Sequence, residues 1–225
     1  MPTTYAHYRF GEEMLHLMPA DVRGTAKRNR QLFDVGLQGP DPLFYYRPDL
    51  TGKVRGLGQK FHMQTGREFF SWACRNLRRE PDDGGQAYLY GALCHYALDA
   101  GCHTLVPREE NLPGIEATFD RFLMERDGFS ASAPWLITAL TDGQWSILSR
   151  FYPGTDKRIF RRSVRCMAKV PMGKQAPEPE CARWNQPLLE RYRQAAEIFP
   201  RMLLKLIAHL QYNAPLGENF DPIFG

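Results

Sequence analysis

The chain lacks the features by which several classes of protein are recognised. Its five cysteines are odd in number and contain no CxxC pair, which argues against a disulfide framework and against a zinc site built from cysteines alone. No stretch reaches the roughly 18 consecutive apolar residues that a membrane-spanning helix requires. Residues 1–14 have no basic start followed by an apolar run, so no signal peptide is predicted and a cytoplasmic location is expected.

The chain also has only a small excess of positive over negative charge, and it lacks the sequence pattern of a β-strand. The formal net charge of +4 is small, so the composition gives no reason to expect a nucleic-acid partner. No alternation of apolar and polar residues, internal repeat or low-complexity tract is present. The chain does have 225 residues, of which 43% are hydrophobic, enough for the core of a single domain spanning residues 1–225.

Helical periodicity dominates the sequence and predicts an all-α, multi-helix bundle. The predicted helices cover residues 5–18, 21–35, 58–79, 86–105, 113–126, 134–150, 155–169 and 186–212. Two segments predict loops: 37–57, where Pro40, Pro42 and Pro48 are incompatible with a helix interior, and the proline-rich 171–179. Ordered loops longer than about 12–15 residues are often functional, which makes the 37–57 loop a candidate functional segment.

One predicted helix carries the clearest chemical pattern. His95, Asp99 and His103 are spaced by four residues, and because each such step rotates by only ~40°, they form one stripe on a helix. Two imidazoles and a carboxylate on an otherwise apolar helix are costly to bury unless a partner satisfies them, and a divalent metal does so. A simple hydrogen-bonded His–Asp pair is the alternative. His62 and His7 add candidate ligands, although each alone would be an ordinary structural residue.

Four motifs follow one another along the chain: GPD at 39–41, QKFH at 59–62, LCHYALD at 93–99 and IEATFD at 115–120. In residue content, order and spacing this set resembles the zinc-dependent phospholipase C family, and the resemblance covers about residues 5–127. It implies a helical fold that holds up to three zinc ions, an arrangement that the family shares with related single-strand nucleases. The residues beyond 127 resemble the family only in being helical.

The resemblance also assigns roles to individual residues. It implies that Asp41, His62, His95 and Asp99 hold one zinc ion, and that Asp41 is the candidate general base that activates water. It implies that His7 and Asp99, together with the amino terminus of the chain, hold a second ion. Asp99 is then the residue shared between the two ions.

For a third ion the resemblance supplies only part of the ligand set. His103 and Glu116 match two of three protein ligands, but the third should be a histidine four residues before Glu116, where this chain has Leu112. The amino terminus also differs, since secreted members of the family present a processed tryptophan and this chain begins Met1-Pro2. We therefore expect about one to two zinc ions and an incomplete third site.

These residues favour a metal-dependent hydrolase of phosphate esters that acts on a small phosphoester or a phospholipid. A metal lowers the pKa of bound water towards ~7 and polarises the P–O bond. The incomplete third site favours the alternative, a catalytically impaired metal-binding or interaction protein that retains the fold. A single-strand nuclease would share the metal ions, but it needs aromatic stacking platforms that the sequence does not place.

Two further segments bear on possible partners. The stretch from Lys157 to Lys174 is rich in lysine and arginine and has no acidic residue, so it could contact anionic lipid headgroups or a nucleic-acid backbone. A solvated helix face is the alternative. Phe44, Tyr45 and Tyr46 follow the Gly-Pro-Asp motif and could wall a substrate pocket or belong to the core.

Overall fold

The computed structural model describes residues 4–46, 52–103, 105–107, 110, 112–129, 139–170 and 178–224. The α-helices of this part are α1 (Thr4–Leu17), α2 (Ala20–Arg28), α3 (Arg30–Gly36), α4 (Lys53–His62), α5 (Gly66–Arg79), α6 (Asp83–Cys102), α7 (Leu112–Arg126), α8 (Asp142–Ser149), α9 (Lys157–Met167) and α10 (Asn185–Tyr212). Short 3-10 turns cover Asp41–Tyr45, Pro179–Trp184 and Glu218–Phe220. The described residues contain no strand, only an isolated bridge between Thr65 and Ile223. The predicted all-α class is therefore confirmed for them.

Helix α6 lies at the centre of the helical packing. Helices α1, α2, α3, α5, α8 and α10 all pack against it. Asp82 caps its first turn by accepting a hydrogen bond from the Gly85 amide. Nearly every side of the helix is buried, as expected of an apolar helix in the middle of a bundle. The polar residues on α6 are therefore surrounded by protein.

The crossing of α3 over α6 is close because both helices have glycine at the contact. A Cβ on Gly36 or on Gly91 would overlap the backbone of the opposite helix. Glycine therefore lets the two backbones touch. This approach carries residues 37–41, which leave α3, across the middle of α6, where the Leu37 carbonyl meets His95.

The structure divides two helices that the periodicity predicts as continuous. Residues 21–35 form α2 and α3, which are separated at Asn29, whose φ of −115° and ψ of 41° are not helical. Residues 58–79 form the end of α4 and all of α5, because Thr65 and Glu68 make a capping box that starts a new helix. In both cases the apolar period continues through the break and so could not reveal it.

The predicted 37–57 loop contains more regular structure than its prolines suggest. Asp41–Tyr45 forms a 3-10 turn with proline in its first positions, and α4 begins already at Lys53. Proline suits the first positions of a helical turn because its missing N–H would have no helical partner there. Residues 47–51 lie outside the described part of the chain.

The later helices agree with the periodicity except at one boundary. The predicted 134–150 helix begins only at Asp142, where Thr141 and Gln144 form a capping box, and residues 139–141 are not helical. Residues 130–138 and 171–177, and with them most of the proline-rich loop and Lys174, lie outside the described residues. None of the described helices is long and apolar enough to cross a membrane.

Candidate metal centre

Two side chains of the α6 stripe are buried at the centre of the fold. His95 and Asp99 have no exposed side-chain surface, and Nε2 of His95 lies 3.4 Å from an Asp99 carboxylate oxygen. His103, the third member, follows the last residue of α6 and is only partly buried. The stripe thus exists as its spacing predicts, but only its first two members lie deep in the interior.

The orientation of His95 decides which of its nitrogens is left for a ligand. Nδ1 lies 3.3 Å from the Leu37 carbonyl oxygen, which can only accept, so Nδ1 carries the proton and donates it. Nε2 makes no hydrogen bond to the described residues and faces a carboxylate. Burial, reinforced by neighbouring His7, lowers the pKa of His95 to about 3, so the ring is neutral. A buried acceptor that faces a carboxylate is unfavourable unless a cation lies between them.

His62, the last residue of α4, is oriented in a similar way. Its Nδ1 donates to the Gly58 carbonyl oxygen 2.8 Å away, and its Nε2 lies 2.9 Å from Oδ1 of Asp41. Burial opposes a charge on the ring, but the Asp41 carboxylate prevails and raises the pKa of His62. Metal-bound histidines commonly donate their second N–H to a backbone carbonyl in this manner, and a metal would take the place of the Nε2 proton.

His7 reaches the centre from the first turns of α1. Its ring stacks on that of His95, with the centroids 4.1 Å apart, and its Nε2 lies 3.3 Å from Asp99. Helix α7 holds the start of α1, because the two oxygens of buried Asp120 accept hydrogen bonds at 2.9 and 3.0 Å from the amides of residues 5 and 6. Asp120 belongs to the fourth motif, yet no sequence pattern assigned it this role.

The five side chains form two groups of candidate ligands. One group contains His7, His95 and Asp99, the other Asp41, His62 and His95, and within each group the ligand atoms lie within 4.8 Å of one another. Two ligands of one tetrahedral zinc ion, each about 2.0–2.1 Å from it, lie roughly 3.3 Å apart. The His7–Asp99 and His95–Asp99 separations are 3.3 and 3.4 Å. Either group could therefore hold a metal ion.

These groups can be compared with the ligand sets that the resemblance implies. Asp99 was expected beside Asp41, His62 and His95 around one ion, and as the residue shared by two ions. In the structure Asp99 groups with His7, and His95 is common to both groups. The ring centroids of His62 and His95 are 6.3 Å apart. The negative charge of Asp99 still acts on Asp41 and His62 by favouring their protonated forms, so the two groups share one electrostatic environment.

The charge of this cluster is the reason that a cation suits it. Burial would raise the pKa of Asp41 and of Asp99, yet the hydrogen bond from His62 to Asp41, and positive charge and the hydrogen bond from His7 at Asp99, hold both below their usual range. Imidazole nitrogens together with ionised carboxylate oxygens form a donor set that zinc accepts.

His103 and Glu116 do not complete a third group. Among the described residues neither belongs to a set of three close ligand atoms. Glu116 on α7 is near the centre, since burial and the charges of Asp41 and Asp99 raise its pKa to about 8. Leu112 begins α7 one turn before Glu116 and packs against the hydrophobic core. An apolar contact thus occupies the position where the resemblance expects a histidine.

Gly39 shows why the Gly-Pro-Asp motif begins with glycine. Its φ of +47° lies in the left-handed region, and a Cβ at this position would overlap the His95 ring. The absent side chain lets the backbone pass directly across His95 before Asp41 opens the 3-10 turn. The motif therefore supplies the Asp41 carboxylate and also packs its backbone against His95, the residue that is common to both groups.

Solvent reaches the centre on the side of Asp41 and His62. These side chains are 21% and 10% exposed, whereas those of the other three candidate ligands are fully buried. Phe44 lies over His62, with the ring centroids 4.9 Å apart, and is itself exposed. A small molecule from solvent would therefore approach past Asp41 and Phe44. Two surface cavities of ≈ 220 and ≈ 230 Å³ lie elsewhere, and none of the five candidate ligands lines them.

The other aromatic residues of this turn have separate surroundings. Burial, reinforced by the charges of Asp41 and Glu116, raises the pKa of Tyr45 to about 12. The Tyr46 ring lies beneath the guanidinium of Arg162 on α9, 5.9 Å from its centroid. Of the three aromatics, Phe44 thus contacts a candidate ligand, and Tyr46 links the turn to α9.

The end of the chain also contributes to the centre. The Phe224 ring stacks on His95 with the centroids 6.1 Å apart, and its amide donates to the Gln64 carbonyl. The Tyr96 hydroxyl donates to the Pro222 carbonyl at 3.0 Å and so fixes the same segment against α6. No local sequence signal marks this contact, because it joins residues that are far apart along the chain.

The chain matches no protein-family model, no curated protein and no solved structure. The resemblance to the zinc-dependent phospholipase C family therefore rests on the four motifs. What the structure adds is independent of that resemblance: a buried cluster of three histidines and two aspartates in two groups that could hold metal.

Proposed function

We propose that this protein is a metal-dependent hydrolase of phosphate esters, with zinc held by Asp41, His62 and His95 and by His7, His95 and Asp99. One observation carries the proposal. The unprotonated Nε2 of His95, fully buried, faces the Asp99 carboxylate while Nδ1 is held by a backbone carbonyl. A structural histidine has no need of this arrangement, whereas a metal ligand does.

The chemistry follows from the placement of Asp41. Zinc held by these residues would lower the pKa of water and would supply positive charge for the phosphoryl oxygens. Asp41 is the most exposed of the five candidate ligands and has a depressed pKa, so it stands ionised where solvent and substrate meet the centre. A carboxylate in that position can orient an attacking water and accept its proton.

The substrate that fits this setting is a small phosphate ester or the headgroup of a phospholipid. The exposed ring of Phe44 beside the centre offers an apolar contact for the organic part of such an ester. The resemblance to the zinc-dependent phospholipase C family supports the phospholipid headgroup among these substrates.

The test combines metal analysis with hydrolysis. Protein loaded with zinc and then freed of excess metal is expected to retain zinc and to hydrolyse bis(p-nitrophenyl) phosphate or p-nitrophenyl phosphocholine, and a chelator is expected to stop the reaction. Asp41→Asn should lower the rate by about 10² or more, because Asn cannot accept the proton of water. Asp21→Asn, an exposed aspartate on α2, is the matched control and should leave the rate unchanged.

A second candidate function is a metal-binding protein without catalysis. Leu112 favours it, because an apolar side chain packed on the core stands where a third ion would need a histidine. Loss of one positive charge near the phosphoryl group would remove several kcal/mol, of order 3, of transition-state stabilisation. Zinc-loaded protein that hydrolyses neither ester, with the folded state intact, would establish this second function and reject the first.

A further inference from the structure

The two helices that flank the Asp41–Tyr45 turn carry charge of one sign. Helices α4 and α9 both pack against this turn, and neither contains an acidic residue. Their basic residues, with the one that follows α9, are Lys53, Arg55, Lys60, Lys157, Arg158, Arg161, Arg162, Arg165 and Lys169. The turn that carries Asp41 thus lies between two helices that have basic and no acidic residues.

One row of basic residues on α9 forms ion pairs with an acidic residue of the protein. Lys157 and Arg161, one turn apart, both pair with Asp142 at the start of α8, at 3.7 and 3.2 Å. These two residues have a structural partner that explains their charge. They are therefore excluded from the argument that follows.

A second row of basic residues lies on the solvent side of α9, and one of them, Arg162, packs over the Tyr46 ring. Arg158, Arg162, Arg165 and Lys169 recur at intervals of four, three and four residues, which places them on one face. All four are exposed. Arg158, Arg165 and Lys169 form no ion pair with any residue in the described part of the chain. Like charges on one exposed face repel one another, and an anionic partner on that face would relieve the repulsion.

Exposed apolar side chains accompany this charge. Val170 follows Lys169 and is 48% exposed, Met63 follows the end of α4 and is 58% exposed, and Phe44 lies between the two helices on the turn. Basic residues mixed with exposed apolar ones are typical of a segment that lies in a lipid headgroup region. A nucleic-acid backbone would satisfy the charge but would leave the aliphatic side chains in water.

We propose that the surface formed by α4, the Asp41–Tyr45 turn and the Arg158–Lys169 row of α9, here called the α4–α9 face, docks the protein on an anionic lipid membrane. The open side of the metal centre then faces the lipid. This docking goes beyond the proposed hydrolysis, since binding to a membrane requires no turnover.

Vesicle binding tests the proposal without any measurement of activity. The zinc-loaded protein is sedimented with vesicles of phosphatidylcholine alone and of phosphatidylcholine containing phosphatidylserine, at low and at high salt. Binding is expected only to the phosphatidylserine vesicles and should weaken strongly at high salt. Replacing Arg158, Arg165 and Lys169 together by glutamine should weaken it at least tenfold, because each basic residue near the surface contributes a severalfold factor.

A matched triple variant separates this face from general positive charge. Arg193, Arg201 and Lys205 are exposed residues of the same types on α10, and their replacement by glutamine changes the net charge equally. That variant should bind phosphatidylserine vesicles as the unchanged protein does. Equal losses in both triple variants, equal binding to neutral vesicles or no binding would overturn the proposal. Tighter binding to single-stranded DNA than to vesicles, lost in the α9 variant alone, would assign the face to nucleic acid instead.

Discussion

At the scale of single residues, His95 connects the two groups of candidate ligands. Its Nδ1 donates to the Leu37 carbonyl, its ring stacks against His7, and the residue belongs to both groups of candidate ligands. Because these contacts fix the imidazole ring, His95 cannot rotate towards one group without moving away from the other. The two groups are therefore expected to depend on His95 together and on His62 separately.

Replacement of these histidines by glutamine should show that dependence in the metal content. His95→Gln should abolish tight zinc binding, because it removes a nitrogen ligand from both groups. His62→Gln should remove only the ion held with Asp41, since His7, His95 and Asp99 remain. Zinc per chain is measured by elemental analysis after dialysis, with exposed His16→Gln as the control. A His95→Gln protein that retains the full metal content would contradict the shared role.

Gly39 permits a second test at this scale. Gly39→Ala and Gly52→Ala both place a side chain on a residue with positive φ, +47° and +68°, which costs of order 1 kcal/mol. Only at Gly39 would the new Cβ meet the His95 ring; at Gly52 it meets nothing within 4 Å. We expect Gly39→Ala to lower the free energy of unfolding by a further ~1–3 kcal/mol and to weaken zinc binding. Urea titration and zinc titration of the two variants measure the difference, and equal results would rule out the overlap.

At the scale of elements, the centre depends on how α1 is held against α7. His7 reaches Asp99 only because the first turn of α1 is fixed, and the Asp120 carboxylate fixes it through two main-chain amides. A carboxylate at the start of a helix also compensates the positive end of the helix dipole. The position of His7, a candidate metal ligand, is thus set by a residue that does not itself belong to either group.

Asp120→Asn should therefore weaken zinc binding at the group that contains His7 and leave zinc binding at the other group unchanged. Losing the charge and one acceptor at this buried site should cost about 1–3 kcal/mol of stability and displace His7. Asp127→Asn is the control, because Asp127 joins the same two helices through the Tyr5 hydroxyl and Arg9, farther from the amides that Asp120 holds. Zinc titrations should show a weakened site in Asp120→Asn alone. A normal titration of that variant would limit Asp120 to a role in stability.

Leu112 offers a test that adds a group instead of removing one. Leu112→His places an imidazole one turn before Glu116 on α7, in the arrangement that the resemblance expects. Zinc content should rise by about one ion per chain if this position is the missing ligand. Leu112→Gln is the control, because it removes the same apolar contact without adding an imidazole. An unchanged zinc content in Leu112→His would show that His103 and Glu116 are not part of a metal site.

At the scale of the whole molecule, we expect a bound metal and the fold to stabilise each other. The candidate ligands come from α1, α4, α6 and the turn after α3, so an ion that binds them binds only the folded chain. Zinc at 100 times its dissociation constant should stabilise the protein by about 2.7 kcal/mol for each site. For a chain of 225 residues this corresponds to a rise in Tm of roughly 5–10 °C, which calorimetry with zinc and with a chelator measures.

The size of that stabilisation should increase with pH. Because Asp41 raises the pKa of His62, the metal-free folded protein keeps a proton there that zinc must displace. The proton stabilises the metal-free fold fully below the unfolded value of about 6.5, and this contribution is lost as pH rises through the raised folded pKa. The difference in Tm between zinc and chelator should therefore be small at pH 5.5 and larger at pH 8. In His62→Gln the pH dependence should flatten, and a difference that grows towards acid pH would contradict the assignment.

Local patterns were sufficient to predict the helices and the stripe on α6. The 3.6-residue period depends on neighbours in the chain, so the all-α class and the burial of His95 beside Asp99 follow from spacing alone. The breaks at Asn29 and before α5 were missed, because an apolar period runs through a helix boundary whereas a capping box or a non-helical residue decides it.

The assignment of ligands to groups was decided by the tertiary structure. Sequence order could name His7, Asp41, His62, His95 and Asp99 but not which of them share an ion. The close crossing of α3 on α6 brings the Gly39 backbone across His95, and the hold of α7 on α1 brings His7 to Asp99. Distances between atoms on different helices depend on how the backbones pack, and no pattern within one helix contains that information.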